Sequence, residues 1–122
     1  MSSNNALSLV KGEILFGEEI NTFSGATVNV YLEDVTDVDA SSRIVAKQVI
    51  PDVSHQIGTQ NRIEFALKSQ IVDMCASYSI RVHVSLHGNE QIQRGDYITM
   101  ESYPVLTFEY PLQVSVRVRE VK

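Results

Sequence analysis

The stretch Gly25-Ala-Thr-Val-Asn-Val-Tyr-Leu-Glu-Asp-Val-Thr-Asp-Val-Asp39 constrains the fold more than any other. Val28, Val30 and Leu32 fall on one side of the alternation; Thr27, Asn29, Tyr31 and Glu33 fall on the other. Successive strand side chains point to opposite faces, so this pattern predicts a strand with a packed core on one side and water on the other. A second stretch repeats it. Tyr78, Ile80, Val82, Val84 and Leu86 alternate with Ser79, Arg81, His83 and Ser85. Two strands of this kind need a sheet, and one apolar face per strand needs a second layer to cover it.

The rest of the chain reads in the same way. Residues 1–6 predict a disordered tail, and 7–122 a single domain. Leu7 to Phe16 is a strand with Val10, Gly12, Ile14 and Phe16 on one face. Arg43 to Ile50 is a third strand, less clearly alternating, and Pro51 is expected to end it because proline lacks the ladder donor. Asp52 to Gln60 reads as a loop, and Arg62 to Leu67 as a short strand. Ile71, Met74 and Cys75 lie at helical spacing, so one or two helical turns are expected near residues 68–77. Gly88-Asn89 suggests a tight hairpin, with Gln91 to Met100 returning beside its partner. Pro104 and Pro111 bracket Val105 to Tyr110, an edge strand or extended loop. Leu112 to Val118 closes the chain with Leu112, Val114, Val116 and Val118 inward. The expected fold is a single antiparallel β-sandwich of about seven short strands.

Composition narrows the partners. The chain has 122 residues and a net charge of −5. That opposes nonspecific nucleic-acid binding, which needs Lys and Arg on phosphates, and opposes docking to an anionic membrane by charge. No transmembrane segment and no signal peptide is visible in the sequence. Cys75 is the only cysteine. Its neighbours Met74 and Ala76 are apolar, so a buried structural thiol is the expectation.

The titratable residues fall into no catalytic or metal-binding pattern. His83 and His87 share parity but lie roughly 13 Å apart along a strand, too far for one ion. His55 stands alone in a loop, and all three histidines read as surface residues. Asp34, Asp37 and Asp39 offer oxygen ligands at short spacing but lack the glycine and closing glutamate of a calcium loop. Glu18-Glu19 reads likewise as solvated. Neither a nucleophile elbow nor a phosphate-binding glycine loop is present. The reading is therefore of no catalytic residues, no metal and no cofactor. The aromatics offer the binding candidates. Tyr31 is placed on the water face of its strand, and Tyr97, Tyr103 and Tyr110 cluster late in the chain; exposed tyrosines favour binding surfaces.

Several segments, taken in order, resemble a known family. They are Gly25 to Val35 with Asp39-Ala40, Val45 to Pro51, Ile63-Glu64-Phe65, Tyr78 to Val82, and Tyr103-Pro-Val-Leu-Thr107. Together they look like the YbaY/YscW family of small bacterial lipoproteins, which includes type III secretion pilotins, over about Lys11 to Val118. The resemblance implies a β-sandwich and no enzymatic activity. It implies a protein partner: pilotins bind a terminal segment of an outer-membrane secretin and help it assemble. Tyr31, Tyr103, Tyr97 and Tyr110 are then the residues expected to meet that segment. Family members begin with an export signal and a lipid-bearing cysteine, neither of which is read here. The protein is expected in the periplasm or at the outer membrane if an export signal precedes this sequence, and in the cytoplasm otherwise. Two other functional classes stay open on the residues alone. One is a self-associating assembly protein pairing through an edge strand; the other is a small metal-dependent enzyme. Oligomeric state is not legible.

Overall fold

A computed structural model describes residues 8–37, 41–69, 73–108 and 110–122. The predicted 1–6 tail lies outside them. The described residues contain no helix and form nine strands: β1 (Ser8–Phe16), β2 (Phe23–Asp34), β3 (Arg43–His55), β4 (Asn61–Ser69), β5 (Tyr78–Ser85), β6 (Tyr97–Ile98), β7 (Pro104–Val105), β8 (Gln113–Arg117) and β9 (Arg119–Glu120). One sheet has the order β4-β1-β8. The other runs β3-β2-β5-β6-β9, with β7 also paired to β5. The two sheets face each other as a β-sandwich. All pairings are antiparallel except β1 with β8, which is parallel.

The inner faces follow from alternation. Val10, Ile14 and Phe16 of β1, Phe65 and Leu67 of β4, and Val116 of β8 meet Val28, Val30 and Leu32 of β2 and Ile80, Val82 and Val84 of β5. All are at or near zero exposure. Gly12 is an inward position without a side chain. A Cβ there would run into the Phe65 ring and the Val114 carbonyl oxygen. The glycine therefore gives the phenylalanine of the neighbouring strand room to lie across β1.

Several expectations are corrected. Pro51 does not end β3. β3 is an edge strand, and the ladder with β2 shifts register between Val28↔Ile50 and Ala26↔Val53. One residue of β2 there opposes two of β3, a bulge at Pro51-Asp52 with Asp52 at φ 57°. A proline on an edge or at a bulge costs no ladder bond. The expected helical turns at 68–77 are not seen: Lys68 and Ser69 continue β4, and 73–77 is a turn closed by Ala76 N donating to Asp73 O. Residues 70–72 lie outside the described residues. Cys75 is exposed on that turn rather than buried, because Ala76 is the residue the turn sends inward. The expected return strand over 91–100 shrinks to Tyr97–Ile98, and residues 86–96 form a loop.

The largest correction concerns the second face of β2. Asn29, Tyr31 and Glu33 point away from the core, as alternation requires, yet they are buried. β2 is flanked on both sides, so long side chains from β3 and β5 close over it. Lys47 and Arg81 lie directly across the ladder from Tyr31. Their charged groups sit 5.5 and 4.2 Å from its ring centroid. Arg81 Nε also donates to Glu33 at 2.9 Å. Glu90, in the 86–96 loop, reaches Lys47 Nζ at 3.3 Å, so that loop crosses β5 and β2 and covers the same face. Two of the three histidines are corrected, while His87 is exposed as expected. His83 lies beneath the loop at 1 % exposure, while His55, at the end of β3, stacks on Phe16 and Phe23.

Gly12→Ala tests the packing account. The added methyl must displace the Phe65 ring or β8, which costs about 1–3 kcal/mol in a close-packed core. Urea denaturation reads this as a lower midpoint, and an unchanged midpoint contradicts the assignment.

Candidate functional site

The C-terminal strand connects the two sheets. Through Arg117 the chain pairs with β1; from Arg119 it pairs with β6, and Val118 is buried at the crossing. Beside this crossing lies a cleft of about 350 Å³. Leu15 at the end of β1, Ile20 in the following turn, Tyr97 and Val118 give it an apolar floor. Arg117, Arg119 and Lys122 stand around it, with Glu19 and Glu120 as the opposing carboxylates. Among the described residues, Arg117 and Lys122 have no carboxylate within ion-pair distance, and Arg119 has an exposed contact of 3.7 Å to Glu101. The cleft thus sets cations and carboxylates around an apolar floor, with Arg117 and Lys122 outside any ion pair among the described residues.

A buried polar cluster holds the floor. Asp96 precedes Tyr97 and is 0 % exposed. Its carboxylate accepts from His83 Nε2 at 2.8 Å, Leu86 N at 3.0 Å and Gln93 N at 3.0 Å. A carboxylate flanked this way only accepts, so His83 carries its proton on Nε2. Burial pushes the Asp96 pKa up, but the His83 bond and the two amides together outweigh it and leave it below the usual value. The same segment fixes the last strand: Gly95 N donates to Val121 O, and Val121 N to Asp96 O, both at 2.8 Å. The Tyr97 hydroxyl accepts from Asn21 N at 3.2 Å, and burial raises its pKa.

β8 pairs only with β1, so its outer edge is open. Tyr103 guards one end. Its hydroxyl accepts from Arg117 N at 3.0 Å and lies 3.4 Å from Arg117 O. Gln113 and Ser115 precede that contact on the same edge.

The four predicted tyrosines therefore separate. Tyr97 and Tyr103 both border Arg117, one from the cleft floor and one from the β8 edge. Tyr31 is 6 % exposed and closed in by its own neighbours, contrary to the expected water face. Tyr110 is 49 % exposed and lies at the opposite end of the sandwich. Arg117, Arg119, Lys122, Leu15 and Ile20 were missed. One signal was legible: three of the chain's ten cations fall within its last six residues. The apolar floor was not, because it is assembled from three distant segments. Among the described residues no group of acidic, His or Cys side chains could hold a metal. Asp34 of the acidic loop is instead tied to the Thr36 hydroxyl and amide, which lower its pKa, and contacts Arg43 at 3.6 Å. Asp39 lies outside the described residues.

Comparison with known proteins gives the context. A family model described as the type III secretion system lipoprotein chaperone, YscW, matches residues 5–118. The chain belongs to that family. Its fold is similar to that of an alternative pilotin from the type II secretion system of Vibrio cholerae. The TM-score is 0.76 at 26 % identity, over 96 % of this chain and 99 % of that one. No curated protein matches the sequence. The YscW match ends at Val118, so Arg119 and Lys122 on the cleft rim lie just beyond it.

Two measurements test the geometry. Tyr103→Phe removes the partner of Arg117 N, with an expected loss of about 0.5–1.5 kcal/mol and faster hydrogen exchange at the Arg117 amide. Unaltered exchange there contradicts the edge assignment. Asp96 sets a pH dependence. Its pKa is depressed in the folded state, so its contribution is present above the unfolded carboxylate value of about 3.9. It is lost as pH falls through the lower folded value. Stability therefore declines below about pH 4, and a carboxyl NMR titration places the Asp96 midpoint below the ordinary carboxylate range. A midpoint above that range refutes the hydrogen-bonded carboxylate.

Proposed function

We propose that this protein is a noncatalytic, pilotin-like chaperone that holds a segment of a secretion-system outer-membrane protein. The observation that carries this reading is the likeness of nearly the whole chain to a pilotin, joined to membership of a secretion chaperone family. The cleft beside the C-terminal strand supplies the chemistry. Leu15, Ile20 and Val118 suit an apolar segment, and Arg117, Arg119 and Lys122 suit an acidic side chain or chain-end carboxylate on it. The open β8 edge offers backbone groups to the same segment if it arrives extended. The family's lipoprotein character supports a place in the bacterial envelope, on the periplasmic side of the outer membrane.

A noncatalytic role is consistent with the burial of the His83–Asp96 pair. His83 and Asp96 are 1 % and 0 % exposed, and their bonds go to fixing the 86–96 loop. A substrate has no route to them.

In-cell crosslinking of the tagged, full-length protein tests the proposal. Mass spectrometry is expected to recover a secretion-system outer-membrane protein. Arg117→Glu with Arg119→Glu is expected to lower that recovery at least tenfold, with an unchanged melting temperature. Recovery of only soluble proteins overturns the chaperone reading. Full recovery by the double variant overturns the cleft.

A further inference from the structure

One sheet ends in β4 and β8, the other in β3 and β9, and these edges differ in how they are protected. β3 carries Pro51 and the bulge at Asp52, both of which discourage further pairing. β4 is plugged from the other sheet: Ala66 N donates to the Gln48 side-chain oxygen of β3 at 2.9 Å. β9 is two residues long. β8 has none of these protections. Over Gln113–Arg117 it contains no proline, and its register with β1 runs without a shift. A regular, unplugged edge of this kind is a template for another strand.

The free groups on β8 follow from its ladder. Lys11 N donates to Leu112 O, so the backbone of Leu112, and by alternation that of Val114 and Val116, is turned toward β1. Gln113, Ser115 and Arg117 are turned the other way. Arg117 bears out the parity, since its N–H reaches the Tyr103 hydroxyl. The N–H and C=O groups of Gln113 and Ser115 have no partner among the described residues, and both residues are exposed. Side chains alternate as well. Val116 is fully buried, but Val114, also inward, is only half-buried. Tyr103 is a second partly buried apolar group beside this edge. Gln113, Ser115 and Arg117 stand on the outer face.

We propose, resting on the chaperone reading, that the client segment binds as a strand added to β8, extended rather than helical. Only another extended backbone offers donors and acceptors at the spacing of Gln113 and Ser115. The edge also sets the segment's pattern. Alternate side chains are apolar and cover Val114 and the Tyr103 ring; those between them are polar and stand beside Gln113 and Ser115. An acidic residue lies at the end next to Arg117, which has no carboxylate partner among the described residues. Tyr103 sets the length. Its hydroxyl already takes Arg117 N, so pairing stops short of that residue and the segment turns into the cleft, whose rim includes Arg117. A second copy of this chain is the poorer occupant. Two β8 strands paired antiparallel about Ser115 set Gln113 opposite Arg117, which leaves each Arg117 without a carboxylate.

The probe is a short peptide of alternating threonine and valine closed by glutamate. When it is added to the full chain, amide hydrogen exchange is expected to slow about tenfold at Gln113 and Ser115. Val114 and Val116 are expected not to change, because β1 already holds their amides. The same peptide, N-methylated on the alternate amides that would face β8, keeps its side chains and is expected to protect neither residue. Ser115→Pro removes an outward N–H that bonds nothing in the fold, a position where proline is tolerated. It is expected to abolish the protection at Gln113, while Ser115→Ala, which keeps the donor, retains it. Both variants lose the exposed Ser115–Glu13 contact, so their difference reports the donor alone. No protection by the peptide, equal protection by the N-methylated form, or protection that survives Ser115→Pro overturns the added strand. So does protection that appears without peptide as protein concentration rises, which assigns the edge to a second copy. In the crosslinking experiment above, Ser115→Pro is expected to lower recovery of the outer-membrane protein and Ser115→Ala is not. Full recovery by Ser115→Pro overturns strand addition and leaves the chaperone reading standing; no recovery by the unaltered protein overturns both.

Discussion

The C-terminal strand changes sheets in the space of one residue. Arg117 is the last residue paired with β1, Arg119 is already paired with β6, and Val118 is buried between them. A two-layer β-protein must close its open sides or leave core and backbone edges wet. Here one side is closed by a chain segment that belongs to both layers. The parallel pairing of β8 with β1 is a consequence, since β8 arrives from the end at which β1 begins. The cleft is another, because a chain that leaves one sheet for the other opens a gap at the crossing.

Polar bonds then hold what the apolar core cannot. Asp96 makes its bonds where burial disfavours a charge, and it is kept ionised because three donors converge on it. Leaving those donors unpaired would cost about 1–3 kcal/mol apiece. The carboxylate thus pins the 86–96 loop over β5 and sets Tyr97 in the cleft floor. The Tyr31 stack works in the same direction on the other half of that face. A guanidinium against an aromatic ring contributes about 0.5–2 kcal/mol, more when water is excluded. The outer face of the larger sheet is therefore a second packed layer built of polar groups. The chain's own side chains and the 86–96 loop cover much of it, while the cleft and the β8 edge stay open.

The two ends differ in chemistry. One sets cations and carboxylates around an apolar floor; the other presents exposed apolar side chains, Met74, Phe108 and Leu112 among them. Only Tyr97 and Tyr103 of the candidate tyrosines stand near the cleft. Neither was distinguishable in the sequence from Tyr31, whose alternation with valines looks like that of any half-exposed strand.

In β2 and β5, which residues face the core was decided by the sequence alone; at Leu112, expected inward, the alternation fails because the residue precedes β8 and is 54 % exposed. Val28, Val30, Leu32, Ile80, Val82 and Val84 are buried because a two-residue period is a property of the extended backbone itself and needs no knowledge of neighbours. The two-layer architecture follows from the same pattern. The tertiary structure decided everything that depends on which strands are adjacent. Alternation names two faces but not what lies over the second one, so Asn29, Tyr31, Glu33 and His83 were read as wet. Proline forbids a ladder donor but not an edge position, so β3 ran on past Pro51. The cleft joins Leu15, Tyr97 and Arg117, which are more than eighty residues apart at the extremes. Its existence rests on where the last strand crosses between sheets, a long-range contact that no local pattern encodes.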